Sequence, residues 1–139
     1  MSMTLRDAIT RIQTHAATAG AYEAPADPPE GNAGFPFSVC YPGSGTIRTE
    51  TQGARRELSS LVLDYHLNRQ NLPTEVQTAE AFLEAFPDLL IDDPTLNGSV
   101  ETIRFDEGIT YQFGQMEYAG VETIGFRFSI PVKLRRATT

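Results

Sequence analysis

Cysteine occurs once in this 139-residue chain, at Cys40. No intramolecular disulfide can form, which fits a reducing compartment. Histidine occurs twice, at His15 and His66, so any imidazole chemistry rests on those two side chains. Basic residues are few: 11 Lys+Arg stand against 18 Asp+Glu, a net charge of −7. That balance argues against a duty of gripping nucleic acid through its phosphates, which needs a basic surface. No apolar run approaches the ~20 residues of a membrane span. The opening Met1-Ser2-Met3-Thr4-Leu5-Arg6-Asp7 meets charge within a few residues and has no apolar signal core. A protein without a membrane partner, starting in the cytoplasm, is the expectation. Internal repeats and low-complexity tracts are missing too, and a length of 139 suits one domain spanning 1–139.

Strand periodicity is what the chain has most of. Ile124, Phe126, Phe128, Ile130, Val132 and Leu134 share one parity, and Thr123, Gly125, Arg127, Ser129, Pro131 and Lys133 the other. A period of two over that length predicts a long strand over 121–134 with a dry face and a wet face. Tyr118-Ala119-Gly120 turns the chain into it from a strand over 109–118, reached from a strand over 100–105 through the tight turn Asp106-Glu107-Gly108. The C-terminal third reads as an antiparallel meander, with 135–139 as a flexible tail.

The N-terminal part predicts a helix over 4–18, with Thr4 and Asp7 at capping-box spacing, a narrow stripe of Leu5, Ile9, Ile12 and Ala16, and Gly20 to end it. Residues 21–34 hold Pro25, Pro28, Pro29, Gly31 and Gly34 and read as an extended loop. Phe35, Phe37, Val39 and Tyr41 alternate in a strand expected to stop at the turn signal Pro42-Gly43-Ser44-Gly45. Residues 46–52 are β-branched but polar, and Gly53-Ala54-Arg55 turns the chain into a strand carrying Leu61, Leu63, Tyr65 and Leu67 on one face. The expected product is a polar β-hairpin over 46–56 that protrudes from the domain. A capping box at Thr74–Gln77 opens a helix with Val76, Ala79, Leu83 and Phe86 on one stripe, and Pro87 is expected to end or kink it near Phe86. The order α-β-β-β-α-β-β-β is an α+β layout: a mainly antiparallel sheet with two helices packed on one face.

Candidate chemistry is sparse. Asp64 and His66 share a strand face and form the pair from which imidazole base work would be built, although two polar residues on a wet face explain them more simply. His15 lies off the apolar stripe and reads as solvated. Cys40 reads as a small core or sheet-face thiol. Asp88, Asp92 and Asp93 lack the ligand spacing of a calcium loop. Pro42-Gly43-Ser44-Gly45 has no lysine or helix after it and does not fit a phosphate cradle. Tyr111, Phe113, Phe126 and Phe128 follow strand periodicity and read as core. The basic runs Arg55-Arg56 and Lys133-Leu134-Arg135-Arg136 read as a solvated strand end and a terminal tail. No catalytic, cofactor-binding or metal-binding residue is expected.

The order of these pieces carries a resemblance. A short helix leads through a proline-rich loop into Phe35-Pro36-Phe37-Ser38-Val39-Cys40-Tyr41-Pro42-Gly43-Ser44-Gly45, followed by a polar hairpin, an amphipathic helix and a meander ending Phe128-Ser129-Ile130-Pro131-Val132. From about Met3 to Leu134 this resembles the tail terminator, or tail completion, proteins of bacteriophages with long non-contractile tails. The resemblance implies a non-enzymatic virion protein, assembled in the host cytoplasm, that closes into a hexameric ring on the head-proximal end of the tail tube. Such a ring ends tail polymerisation and gives a head-tail joining surface. Its partners would be its own copies, the tail tube protein and the head-tail connector protein, with DNA passing through the lumen without specific binding. A closed ring needs heterologous contacts, and exposed strand edges supply them. Thr46, Arg48, Glu50, Gln52, Arg55 and Arg56 of the hairpin are therefore the candidate interface with a neighbouring subunit or the tube. Two other readings stand beside it: another phage structural subunit, tail tube or connector, and a cone-shaped α+β ligand carrier or enzyme using Asp64 and His66.

Overall fold

The computed structural model describes residues 3–21, 24–25, 35–51, 53–68 and 72–137. Most of the 21–34 loop, Gln52 and the last two residues lie outside that set. The element order is α1 (Leu5–Ala19), β1 (Phe37–Thr51), β2 (Ala54–Leu67), α2 (Leu72–Ile91), β3 (Thr102–Ile103), β4 (Thr110–Tyr118) and β5 (Val121–Ala137). The five strands make one antiparallel sheet in the order β1-β2-β5-β3, with β4 also paired to β5. The fold is the α+β class that the sequence pattern predicts.

β5 is the spine of the sheet, and its dry parity holds from Phe126 to Leu134. Phe128, Ile130, Val132 and Leu134 are fully buried and Phe126 nearly so. In register across β2, Leu61 faces Ile130, Leu63 faces Phe128, Tyr65 faces Phe126 and Leu67 faces Ile124. Helix α2 covers this face: Phe82 stacks on Tyr65 with ring centroids 3.8 Å apart, and Phe86 meets Phe128 edge-on at 5.3 Å. Gly125 permits the close approach of the two central strands, since a Cβ there would fall on the Tyr65 carbonyl oxygen. Helix α1 begins as predicted, with Thr4 Oγ1 accepting from the Asp7 N–H and Gly20 as its C-cap. It docks on β1 through Gln13, whose amide donates to the Ser38 carbonyl oxygen and accepts from the Ser38 hydroxyl.

Several expectations are corrected. Pro42-Gly43-Ser44-Gly45 is not a turn, and β1 runs straight through it. The register instead shifts between Pro42 and Gly45, a bulge in which Gly43 and Gly45 pass too close to the Ser60 and Leu58 carbonyls to carry a side chain. The hairpin is therefore formed by two long strands rather than three short ones. Helix α2 starts at Leu72, before the supposed cap at Thr74, and continues past Pro87 to Ile91. Buried Phe86 and Leu90 on either side of the proline hold that last turn against the sheet. Phe82, absent from the predicted stripe, is its buried anchor, while Leu83 packs at the margin. The strand over 100–105 shrinks to Thr102–Ile103. The tail begins later than residue 135, because Arg135, Arg136 and Ala137 pair with Arg56, Arg55 and Ala54. The hairpin end is consequently three strands wide, not two.

Candidate functional site

The sheet face away from the helices carries the polar residues of the even β2 parity. Asp64 and His66 lie there, but not on a wet surface: Asp64 is 4% exposed and His66 1%. Nor do they pair with each other. Arg127, facing Asp64 from β5, donates to both carboxylate oxygens at 2.8 and 3.1 Å, and the Tyr41 hydroxyl donates to Asp64 at 2.9 Å. The hydrogen bond to Asp64 and its charge hold the Arg127 guanidinium above its usual range, and burial with the same carboxylate pushes the Tyr41 phenol up to about 12. His66 Nδ1 lies 2.6 Å from Thr123 Oγ1, and its ring stacks on Phe37 at 4.8 Å and tilts against Tyr118 at 5.5 Å. Thr123, expected on the wet parity, is fully buried by this contact. Burial keeps the imidazole below its ordinary pKa; the nearby Asp64 charge opposes this and Arg127 reinforces it.

An imidazole base needs an orienting carboxylate and access to a substrate. Here the carboxylate is committed to Arg127 and Tyr41, and the imidazole is walled in by aromatic rings. The depression of about 300 Å³ beside Arg127 is open and lined by Gln112, Phe113, Gly114, Gln115 and Met116, not by His66. The cluster is a polar lock between β1, β2 and β5. Sequence spacing hides it: Asp64 and Arg127 are 63 residues apart, and only the β2–β5 register brings them together.

The candidate interface residues gather at the end of the sheet where β1 turns into β2. Thr46 and Arg48 are exposed on β1, and Arg55 and Arg56 are half-buried on β2. The side chain of Glu50 and the whole of Gln52 lie outside the described residues. Register sets Arg48 opposite Arg56, and Arg56 opposite Arg135 on β5, so three arginines form one row across three strands. Lys133 follows on the same face, opposite Leu58, and Arg55 opposite Arg136 on the other. Glu101 meets Lys133 at 3.4 Å and Arg135 at 3.9 Å. The two basic runs, a strand end and a tail in the sequence, are thus brought together at one end of the sheet.

The remaining candidates resolve structurally. His15 is buried, not solvated, with Nε2 2.8 Å from the Asp93 carboxylate, which also accepts from Arg11 Nε at 2.7 Å and the Asn97 N–H at 3.0 Å. Burial pushes the Asp93 pKa up, but these donors outweigh it and hold it below the ordinary value. Asp93 therefore ties the α2 exit to α1. Cys40 is buried in the core, its thiol pushed up to about 12 by burial and by the Asp64 charge, which makes it a poor nucleophile. Tyr111 and Phe113 are not core: they stand 55% and 40% exposed on β4, each with one ring edge on Phe126. Among the described residues, no group of three or more His, Cys, Asp or Glu side chains is placed to hold a metal ion, and no helix is long and apolar enough to cross a membrane.

No protein-family model matches this chain, and no curated protein matches it in sequence.

Proposed function

We propose that this chain is a structural subunit that closes with its own copies into a ring on the head-proximal end of a bacteriophage tail tube, ends tube growth and offers the head-tail connector its joining surface. The observation that supports the reading best is a sheet with two open edges. Among the described residues, β1 and β4 each pair on one side only. β1 is exposed from Pro42 to Thr49, and β4 carries exposed Tyr111 and Phe113. Unpaired strand edges are templates for another chain. Two different edges on opposite sides of one sheet suit a heterologous contact that closes by rotation.

The absence of a freely placed acid-base pair at Asp64 and His66 supports a role in assembly over one in catalysis. Light scattering of the purified chain across a concentration series tests the ring. The expected result is a closed species of six protomers that does not grow further. A protomer mass at every concentration, or open-ended growth, contradicts it.

A further inference from the structure

Six of the eleven basic residues sit at one end of the sheet: Arg48, Arg55, Arg56, Lys133, Arg135 and Arg136. The row Arg48-Arg56-Arg135 sets like charges opposite one another in register, with Glu101 3.9 Å from Arg135 as the acid beside it; like charges directly opposite one another destabilise a sheet. Helix α2 holds the mirror image of this. Glu80, Glu84, Asp88 and, just past its end, Asp92 recur every four residues, all exposed, and α2 contains no basic residue. Like charges at that spacing repel along one helix face.

The two rows lie on opposite sides of the molecule. Ala79, Phe82, Phe86 and Leu90 turn α2 toward the sheet, so the carboxylate row points away from it. The arginine row is on the other face of that sheet, with the even β2 parity. The rows therefore cannot meet within one chain, whereas they can meet between two.

We infer that the arginine row at the β1–β2–β5 end docks on the carboxylate row of α2 in a second copy of this chain. The inference deepens the ring reading and rests on it for a head-to-tail contact. Glu101, between Lys133 and Arg135, offsets part of the basic row, but the row keeps a basic excess and the α2 row is wholly acidic, so the two are complementary in sign, and with a net charge of −7 the rest of the surface repels its copies. The contact thus orients neighbours as well as attracting them. The closest rival occupant is a nucleic-acid backbone. The acidic balance of the whole chain disfavours it, and the test below separates the two.

The test uses the full chain with exposed positions only. One variant carries Arg48→Glu and Arg135→Glu, and the other Glu80→Lys, Glu84→Lys and Asp88→Lys. Circular dichroism checks that both stay folded, and Arg48→Gln with Arg135→Gln is the milder substitute if the first does not. Light scattering should show each variant alone shifted toward protomers, its half-assembly concentration raised on the order of a hundredfold. An equimolar mixture of the two should reassemble, because each then offers the sign the other lacks. About 1 M salt, where screening acts within about 3 Å, should loosen the wild type in the same direction. Wild-type assembly by either variant alone overturns the inference while leaving the ring reading in place. A mixture that stays dissociated, or a wild type that never associates, overturns it as well. Retarded migration of a random-sequence DNA duplex that is lost with Arg48→Glu and Arg135→Glu, without any change in protomer association, assigns the row to nucleic acid instead.

Discussion

Asp64 is the residue on which the second face of the sheet turns. It is almost fully buried and satisfied by a two-pronged guanidinium and a phenol. Removing one partner of such a group strands a charge away from water. Arg127→Met should destabilise the fold by about 1–3 kcal/mol rather than the 3–5 of a fully buried pair, because the Arg127 side chain is 57% exposed and water can follow. Urea titration should show a lower midpoint with an unchanged slope, and adding Asp64→Asn should recover part of the loss. An unaltered midpoint in Arg127→Met would mean the pair contributes nothing. His66 gives a second residue-level expectation. Burial is the main effect disfavouring its charged form; Asp64 opposes it and Arg127 adds to it. Below a pH of about 6.5 the unfolded chain takes up a proton that the folded chain declines, so stability falls as the pH falls. His66→Gln should flatten the stability profile between about pH 7 and pH 5 relative to wild type. Parallel profiles would show that His66 does not titrate differently in the two states.

At the scale of elements, the fold rests on the clamp of α2 over the β2–β5 pair. Phe128 is fully buried and meets Phe82, Phe86 and Phe126 within 5.9 Å. Phe128→Ala should cost about 3–5 kcal/mol out of a typical total of about 5–15. A thermal midpoint close to wild type would show that this face is not the core. The parity of β5 was legible in the residues because a two-residue period cannot be mistaken over so long a run. The helix N-terminus at Thr4 was legible because capping is local chemistry. Helix α2 was legible in kind but not in extent, since packing of Phe86 and Leu90 against the sheet overrode the local cost of Pro87. The Pro42–Gly45 stretch misled for a similar reason: its glycines serve a close strand approach, and turn chemistry looks the same in a sequence. Register across 63 residues has no local signal at all, which is why the Asp64 to Arg127 lock and the joining of the two basic runs appear only in three dimensions.

For the whole molecule, the sheet is closed to neither side. The helices occupy one face, the polar lock and the arginine row the other, and β1 and β4 leave two edges unpaired among the described residues. The three-stranded end is stiffer than a protruding two-stranded hairpin, which is marginal in water, because β5 pairs with β2 as far as Ala137. A stiff, charged end suits a repeated contact better than a mobile arm does, since little order is lost on docking. On the proposed function such a subunit caps a tail tube. Electron microscopy of tail tubes assembled with and without this chain tests it most directly. Overlong tubes of variable length are expected in its absence and, in its presence, tubes of uniform length with a ring at one end. An unchanged length distribution with no density added at either tube end would contradict it.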